Sequence, residues 1–310
     1  MPEAIWTIVG STGATACLAE LIEERKRLGP VALAESMDEV PTGTGYILQV
    51  GGSAPDDVFI RLATLVSPYQ RRVPIGWLPD DGKDGLLTYA AAAAQVIRRQ
   101  ARGLKSGPVV LLGQWQERTL KLVDTVEELI TLSRFRWTAE RLVRRDLLRA
   151  LRCGPGVAIY FGHAVSRGWI GYGGISAETL IATRQEPLGA VLSIACETAH
   201  RTQGCWSFCE ELVLGGFCAA ALGASSRSLH EHNCILARRL CSALGRAQNL
   251  GDALAISEVS QEFLSNYRII GDPAAPLLGA THAESAAKQV YAPAPDDFLQ
   301  IPEPIGIADL

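Results

Sequence analysis

The chain has no excess of basic residues: 29 Lys and Arg stand against 33 Asp and Glu over 310 residues, a formal charge of -4. Binding that works by neutralising a phosphate backbone has no support in that balance, so nucleic acid is not expected as a partner. No apolar stretch approaches the roughly 20 residues that span a bilayer. The start, Met1-Pro2-Glu3-Ala4-Ile5-Trp6, lacks the basic residues and apolar core of a secretory signal. No membrane association and a cytoplasmic location are therefore expected. Cysteine is sparse too, with eight residues and no Cys-x-x-Cys pair. Cys17, Cys218 and Cys241 fall inside predicted elements, where reduced cysteine acts as a small apolar side chain, so free thiols are expected and not a disulfide framework. No internal repeat of fixed short period is present.

What the chain does have is apolar material, 48% of its residues, arranged in short runs that alternate with helical patterns. Ile5 to Val9 reads as a strand followed by a helix through Leu18 to Ile22; Gly45 to Val50 precedes a predicted helix from Asp56 to Val66. That alternation predicts a parallel α/β sheet covered by helices on both faces. An Ala-rich helix from about 86 to 100 ends in a Gly/Lys/Ser/Pro stretch, 103 to 108, which marks a candidate boundary. Residues 1–104 are read as an N-terminal α/β subdomain and 105–282 as a second α/β domain. Residues 283–310, rich in Ala, Pro and Asp, are read as a weakly structured tail. Within the second domain the patterns predict strands at 108–112, 157–161, 190–195, 217–223 and 267–270. Helices are predicted near 121–132, 137–151, 206–214, 233–245 and 252–265.

Two of those strands run into reactive side chains. Val157 to Phe161 leads to Gly162-His163-Ala164, and the run 189–195 leads to Cys196. Ligands of an open parallel sheet bind beyond the carboxyl ends of its strands. The 33 residues between His163 and Cys196 fit one strand-helix-strand connection. A free thiol is only a few per cent thiolate at neutral pH, and an imidazole beside it raises that fraction and can then protonate a leaving group. A lone cysteine or histidine at a strand end is more often packing than chemistry. The pair on one sheet edge makes catalysis and packing equal contenders.

Four segments resemble the caspase-fold cysteine peptidases of clan CD, in particular the gingipain-like (C25) and CHAT-type groups. "YFGHAVSRGW" resembles their histidine motif and "VLSIACETAH" their cysteine motif, with the Ala-Cys-Glu-Thr of CHAT members. "EELVLGGFCAAALGAS" is similar to the helix, Gly turn and small-residue strand that follow the nucleophile, and "NYRIIGDPAAPLL" to the Gly-Asp-Pro stretch near the end of gingipain-type domains. Upstream, "VPIGWLPDDGKDGLLTYAAAAAQVI" resembles a strand and helix of the first gingipain subdomain, with Trp77 where Arg is usual. The resemblance covers roughly residues 70 to 280 and implies a caspase-like domain; no cofactor and no metal in the catalytic site are expected.

It further implies a thiol protease of protein or peptide substrates in which Cys196 attacks the scissile carbonyl, His163 is the general acid/base and the N–H groups of Ala164 and Cys196 form the oxyanion hole. Trp169, Glu197, Ser225 and Ser226 are candidates for substrate binding. Relatives of this kind imply a bacterial regulatory or defence and cell-death role, activation by a partner or by self-cleavage, and a leaning to basic P1. A basic P1 side chain needs an acid, with Asp80, Asp81, Asp84, Glu197, Glu210 and Glu231 as candidates.

Three other readings compete. A zinc site could draw on Cys205, Cys209, His230, His232 and Cys234. A nucleotide-binding oxidoreductase is suggested by "VGSTGATACLAEL", which has Gly10 and Gly13 but lacks the third glycine of the dinucleotide fingerprint. A catalytically inactive scaffold of the same fold would keep the sequence pattern without a reactive thiol.

Overall fold

The computed structural model describes residues 4–62, 71–80, 82–101, 108–202 and 204–277. The tail and Asp81 lie outside them. Five strands come from the first third of the chain: β1 (Ile5–Val9), β2 (Val31–Ala34), β3 (Thr44–Val50), β4 (Phe59–Leu62) and β5 (Arg71–Leu78). Then follow β6 (Val109–Gly113), β7 (Arg134–Arg136), β8 (Val157–Phe161) and a small hairpin sheet of β9 (Ala164–Val165), β10 (Gly168–Trp169) and β11 (Ile175–Ser176). The last three are β12 (Leu188–Ile194), β13 (Cys218–Ala224) and β14 (Tyr267–Gly271). All but the hairpin join one sheet in the order β2-β1-β3-β5-β14-β13-β12-β8-β6-β7, with β4 paired to β5.

Pairing within each half of that sheet is parallel apart from β4, and the two halves run in opposite directions. The reversal falls between β13 and β14, which pair antiparallel from Ala220↔Gly271 to Ala224↔Tyr267, while β14 runs parallel to β5. The carboxyl ends of β8, β12 and β13 therefore share one edge of the sheet, and those of β1, β3 and β5 lie at the other. The apolar runs of β6, β8, β12 and β13 are buried at every position. Such continuous runs mark strands covered on both faces.

The covering helices are, in chain order, α1 (Thr12–Cys17), α2 (Ala19–Lys26), α3 (Lys83–Ala101), α4 (Glu117–Leu129), α5 (Arg144–Leu151), α6 (Ala177–Thr183), α7 (Phe208–Leu214), α8 (His230–Leu244), α9 (Leu250–Ile256) and α10 (Gln261–Leu264). In α3 the buried positions Leu86, Tyr89, Ala90, Ala93, Val96 and Ile97 recur at helical spacing, and small alanines let the helix lie close on the sheet. α7 begins with a full capping box: Ser207 Oγ accepts from the Glu210 N–H and the Glu210 carboxylate accepts from the Ser207 N–H at 2.7 Å.

Several predicted elements differ in the structure. Residues 137–143 are not the start of a helix. The Trp137 and Ala139 N–H groups bond to Leu111 and Gly113 carbonyls at 2.8 Å, so the chain continues the β7 edge beside β6 before α5 begins at Arg144. The predicted helix 252–265 is two helices, interrupted where Glu258 takes a positive φ of 51°. Within 56–62 the predicted helix is instead β4, whose Phe59 and Ile60 pair with Pro74 and Val73; residues 63–66 lie outside the described residues.

The Gly-Asp-Pro stretch is a packing joint. Asp272 is buried, accepts from Trp6 Nε1 and Arg25 Nε at 3.0 Å each and from the Ala274 N–H at 2.9 Å, and its own N–H reaches the Ala219 carbonyl at 3.1 Å. It fastens β1 and α2 to the loop after β14. The Gly10 turn after β1 is explained locally as well. A Cβ on Gly10 would sit 3.1 Å from Val50, and Ser11 Oγ caps the Ala14 N–H at 3.2 Å.

Candidate active site

β8 and β12 pair in register from Ala190↔Val157 to Ile194↔Phe161. His163 and Cys196 each follow two residues beyond that last pair. Neighbouring strands lie about 4.8 Å apart, so the register places the two turns side by side on one edge of the sheet.

The His163 turn is fixed through its main chain. Its N–H donates to Gln114 Oε1 at 2.9 Å, and its carbonyl accepts from Tyr160 Oη at 2.9 Å and from the Ile170 N–H at 3.0 Å. Gly162 has φ 147°, and a Cβ there would fall 2.8 Å from both Gln114 Cβ and Tyr160 Oη, so glycine is required. These bonds hold the backbone and leave the imidazole exposed. The Ile170 to His163 bond flanks the Ala164↔Trp169 pair, which is therefore a non-hydrogen-bonded pair of the hairpin. The Ala164 N–H lies outside the ladder.

Trp169 is buried beneath this hairpin. Its ring stacks on Tyr160 at 4.6 Å and meets Phe208 at 5.2 Å, while Nε1 donates to Ser193 Oγ at 2.9 Å. The residue anchors the His163 turn to β12.

The Cys196 turn is built differently. Its thiol is half-buried and lies 3.7 Å from both the carbonyl and the hydroxyl oxygen of Ser228. Among the described residues, no acceptor is found for the Cys196 N–H. The next residue, Glu197, has φ 59°, a left-handed conformation uncommon for a side chain of this size. It is held there by its N–H to the Ser226 carbonyl at 3.1 Å, by the His200 N–H on its own carbonyl at 3.0 Å, and by Arg227 at 3.4 Å from its carboxylate. The Ala199 N–H bonds to the Ala224 carbonyl at 2.8 Å, and His200 Nδ1 lies 2.9 Å from the Ser225 carbonyl.

Ser225 and Ser226 belong to the loop that clamps this turn. The Ser225 N–H donates to the Asn266 carbonyl at 2.8 Å, the Ser226 hydroxyl bonds to Asn266 Oδ1, and Asn266 Nδ2 reaches the Arg227 carbonyl at 3.2 Å. Beneath the thiol, the buried Tyr267 hydroxyl donates to Asn233 Oδ1 at 2.8 Å. Burial pushes that hydroxyl's pKa up; Ser228 opposes the shift through a hydrogen bond and Cys196 adds to it.

Gln114, Ser228 and Asn233 carried no motif in the sequence, and Tyr267, although it stands in the "NYRIIGDPAAPLL" stretch, was given no role there. Only their places after or beside predicted strands could have singled them out. His230, considered in the sequence as a zinc ligand, is another neighbour. Burial, then the charges of Arg118 and His163, holds its imidazole below the usual histidine range, and Nε2 lies 3.3 Å from Cys234 Sγ.

The candidate zinc ligands do not converge. Cys209 is buried, Cys205 is exposed, and His232 turns edge-on to Phe263 at 4.8 Å. Among the described residues no three His, Cys, Asp or Glu side chains form a group that could hold a metal ion. Nor is any helix among them long and apolar enough to cross a membrane.

The acids offered for a basic P1 side chain are scattered. Asp80 and Asp84 follow β5, at the edge opposite Cys196. Glu210 is buried in its capping box and paired with Arg201 at 2.9 Å, and Glu197 faces Arg227. Glu231 opens α8 beside His230.

The fold has known counterparts. The Arg-specific cysteine proteinase gingipain R (RgpB) superposes with a TM-score of 0.67 at 12% identity over 88% of this chain and 78% of that one. A structure described only as a protease gives 0.66 at 11% identity over the same shares, and the complex of Porphyromonas gingivalis RgpB pro- and mature domains gives 0.63 at 12%, over 88% of this chain and 79% of that one. At such identities the likeness shows the fold, a caspase-like α/β sheet of mostly parallel strands. Among curated proteins no sequence matches. The sequence model of peptidase family C25 matches residues 89–278, more than half the chain and the whole segment that builds both turns. The chain belongs to peptidase family C25 and is a cysteine peptidase.

Proposed function

We propose that this peptidase works through a Cys196–His163 dyad at the carboxyl edge of β8 and β12. The observation that carries the reading is the β8–β12 register, which brings the two positions together without any rearrangement of the sheet. The Cys196 thiol gives its proton to His163, and the sulfur attacks the scissile carbonyl carbon. The imidazolium then protonates the departing amine, leaving a thioester on Cys196. A water molecule deprotonated by His163 attacks the thioester, and the thiol leaves with the proton returned.

The N–H groups of Ala164 and Cys196, neither committed to the surrounding ladders, are the donors for the oxyanion. Donors of this kind contribute about 3–4 kcal/mol to the transition state. Glu197, Ser225 and Ser226 shape the turn and its clamp, so their contribution is to hold the Cys196 N–H and thiol in place. Gingipain R is described as Arg-specific, which makes a basic P1 residue the first to try. Of the described acids considered for that role, Glu231 is the one at this edge with no basic side chain within 4 Å among the described residues.

Timed alkylation with iodoacetamide, read by mass spectrometry, tests the dyad. Burial pushes the thiols of Cys209 and Cys241 up to about 12 and raises those of Cys153 and Cys234, all of which slows their reaction. Cys196 should label fastest, and His163→Ala should slow that labelling while leaving exposed Cys205 unchanged. Labelling of Cys196 that is indifferent to His163, together with peptidase activity surviving in Cys196→Ala, would sink the reading.

A further inference from the structure

Beyond His163, on the side away from Cys196, an open cleft of about 390 Å³ lies between the loops that follow β6 and β7 and the turn after β10. Gln114, Trp115, Val143, Arg144, Ile170 and Tyr172 line it. Three of these are large apolar side chains left in solvent: Trp115 is 74% exposed, Val143 62% and Ile170 48%. An exposed tryptophan beside two exposed aliphatics is costly in water unless something covers them, and such patches mark binding surfaces. A second, shallower cleft of about 570 Å³ shares Arg144 and Ile170 and adds exposed Val165 and Arg167.

The charged side chains lining the two clefts are arginines, of which Arg167 also feels the Glu211 carboxylate outside them. No carboxylate lines either cleft among the described residues. Arg144 bonds only to the neutral Thr179 hydroxyl, at 3.1 Å, and Arg167 lies 3.8 Å from Cys205 Sγ; among the described residues neither has a carboxylate within 4 Å. The acids nearest Arg144 in sequence are engaged elsewhere: Asp146 lies 3.3 Å from Arg145, and Glu140 faces Arg136 at 3.1 Å and the Thr138 hydroxyl at 2.7 Å. The cleft is also joined to the dyad. Gln114, one of its walls, holds the His163 N–H, and the N–H of Ile170, another wall, holds the His163 carbonyl.

We infer that this cleft is a substrate subsite that selects polypeptide segments carrying a large apolar side chain next to an acidic one, the apolar group against Trp115 and Ile170 and the carboxylate on Arg144. The inference rests on the dyad reading for the direction of the chemistry, but the contacts themselves are a matter of binding. A cationic, apolar wall disfavours a lysine at that position by repulsion and desolvation, and favours glutamate by a charge-assisted, two-pronged contact with the guanidinium.

The test uses three fluorescein-labelled dodecapeptides that share one Arg and differ at one dipeptide: Phe-Glu, Phe-Lys or Ser-Glu. Fluorescence anisotropy on full-length Cys196→Ala measures binding without turnover. The Phe-Glu peptide should bind about tenfold more tightly than either other. Trp115→Ala should remove the Phe advantage, and Arg144→Glu should reverse the order of Phe-Glu and Phe-Lys. Equal binding of the three, no binding of any, or an order untouched by Arg144→Glu overturns the subsite. Incubation of the same peptides with the unaltered chain separates the two ideas. Cleavage of all three at equal rates removes the subsite and keeps the dyad. Selective binding without cleavage, in a chain whose Cys196 ignores iodoacetamide, keeps the subsite and removes the dyad.

Discussion

β13 ends in two very different neighbourhoods. Beside its amino end stands Asp272, buried, with its carboxylate bonded to Trp6, Arg25 and the Ala274 N–H. Beside its carboxyl end stands the Cys196 turn, where the thiol has only long contacts of 3.7 Å to Ser228 and the backbone N–H has no partner among the described residues. Both turns need a residue of positive φ. The first uses Gly271, φ 88°, and the second uses Glu197, φ 59°. A turn that serves packing satisfies its polar atoms and takes the residue that fits without strain. The other leaves donors open and tolerates strain, which is the pattern of a site kept ready for a ligand.

The contrast can be broken most forcefully by exchanging the two outcomes. Cys196→Ala should cost about 10³-fold or more in peptide hydrolysis, since the covalent route is lost, and should leave the melting temperature nearly unchanged. His163→Ala should cost about 10²- to 10⁴-fold, the usual range for a general acid/base. Asp272→Ala should do the reverse at the level of stability. It strips a buried Arg25 and the Trp6 N–H of their partner, at a cost of about 3–5 kcal/mol. For a chain of this size that lowers the melting temperature by about 10 °C. Calorimetry beside a peptidase assay reads both, and a fully stable Asp272→Ala would show that the joint is not what fastens β1 and α2 to the sheet.

A subtler change probes the support under the thiol. Tyr267→Phe removes the hydroxyl that bonds Asn233 and lies against Ser228, leaving a buried amide oxygen with one donor fewer. The expected loss is about 1–2 kcal/mol in stability. If the network also fixes the Ser228 contact to Cys196, kcat should fall severalfold with KM little changed, and iodoacetamide labelling of Cys196 should change rate in step. A stability loss with unaltered labelling would assign Tyr267 to packing alone, on the Asp272 side of the comparison.

How much of this was readable beforehand follows from which interactions are local. The run Val157 to Phe161 coincides with β8 residue for residue, because an apolar run closed by Gly-His has one sensible reading; that His163 and Cys196 stand just past the sheet edge follows from where the two runs stop. The reversal between β13 and β14 left no trace in the sequence, since an apolar run does not record the direction of its partner. Its consequence is that Asp80 and Asp84, two of the acids considered for a basic P1 side chain, lie at the far edge. Residues 137–143 misled for a related reason. Leu142, Leu147 and Leu148 share a helical spacing, but the N–H groups of Trp137 and Ala139 are claimed by β6 carbonyls 26 residues back in the chain. Gln114, Ser228 and Tyr267 act through single hydrogen bonds across the fold, and a single polar residue has no period to betray it.

The smallest effect tests the strain itself. A glutamate at φ 59° costs about 1–2 kcal/mol relative to a glycine in the same well. Glu197→Gly recovers part of this, because it also frees the unfolded chain by about 0.5–1 kcal/mol and removes an exposed pair with Arg227 that contributes at most about 1 kcal/mol. The net change should be a gain of no more than about 1.5 kcal/mol, a rise of about 3–5 °C at most. Activity should move the other way, falling severalfold, because glycine lets the turn leave the conformation that aims the Cys196 N–H. The matched control at the other end is Gly271→Ala, whose Cβ would meet the Ala219 carbonyl oxygen at 2.5 Å and which should destabilise outright. A Glu197→Gly variant that is both more stable and fully active would mean that the left-handed turn is incidental, and that the difference between the two ends of β13 lies in their hydrogen bonds alone.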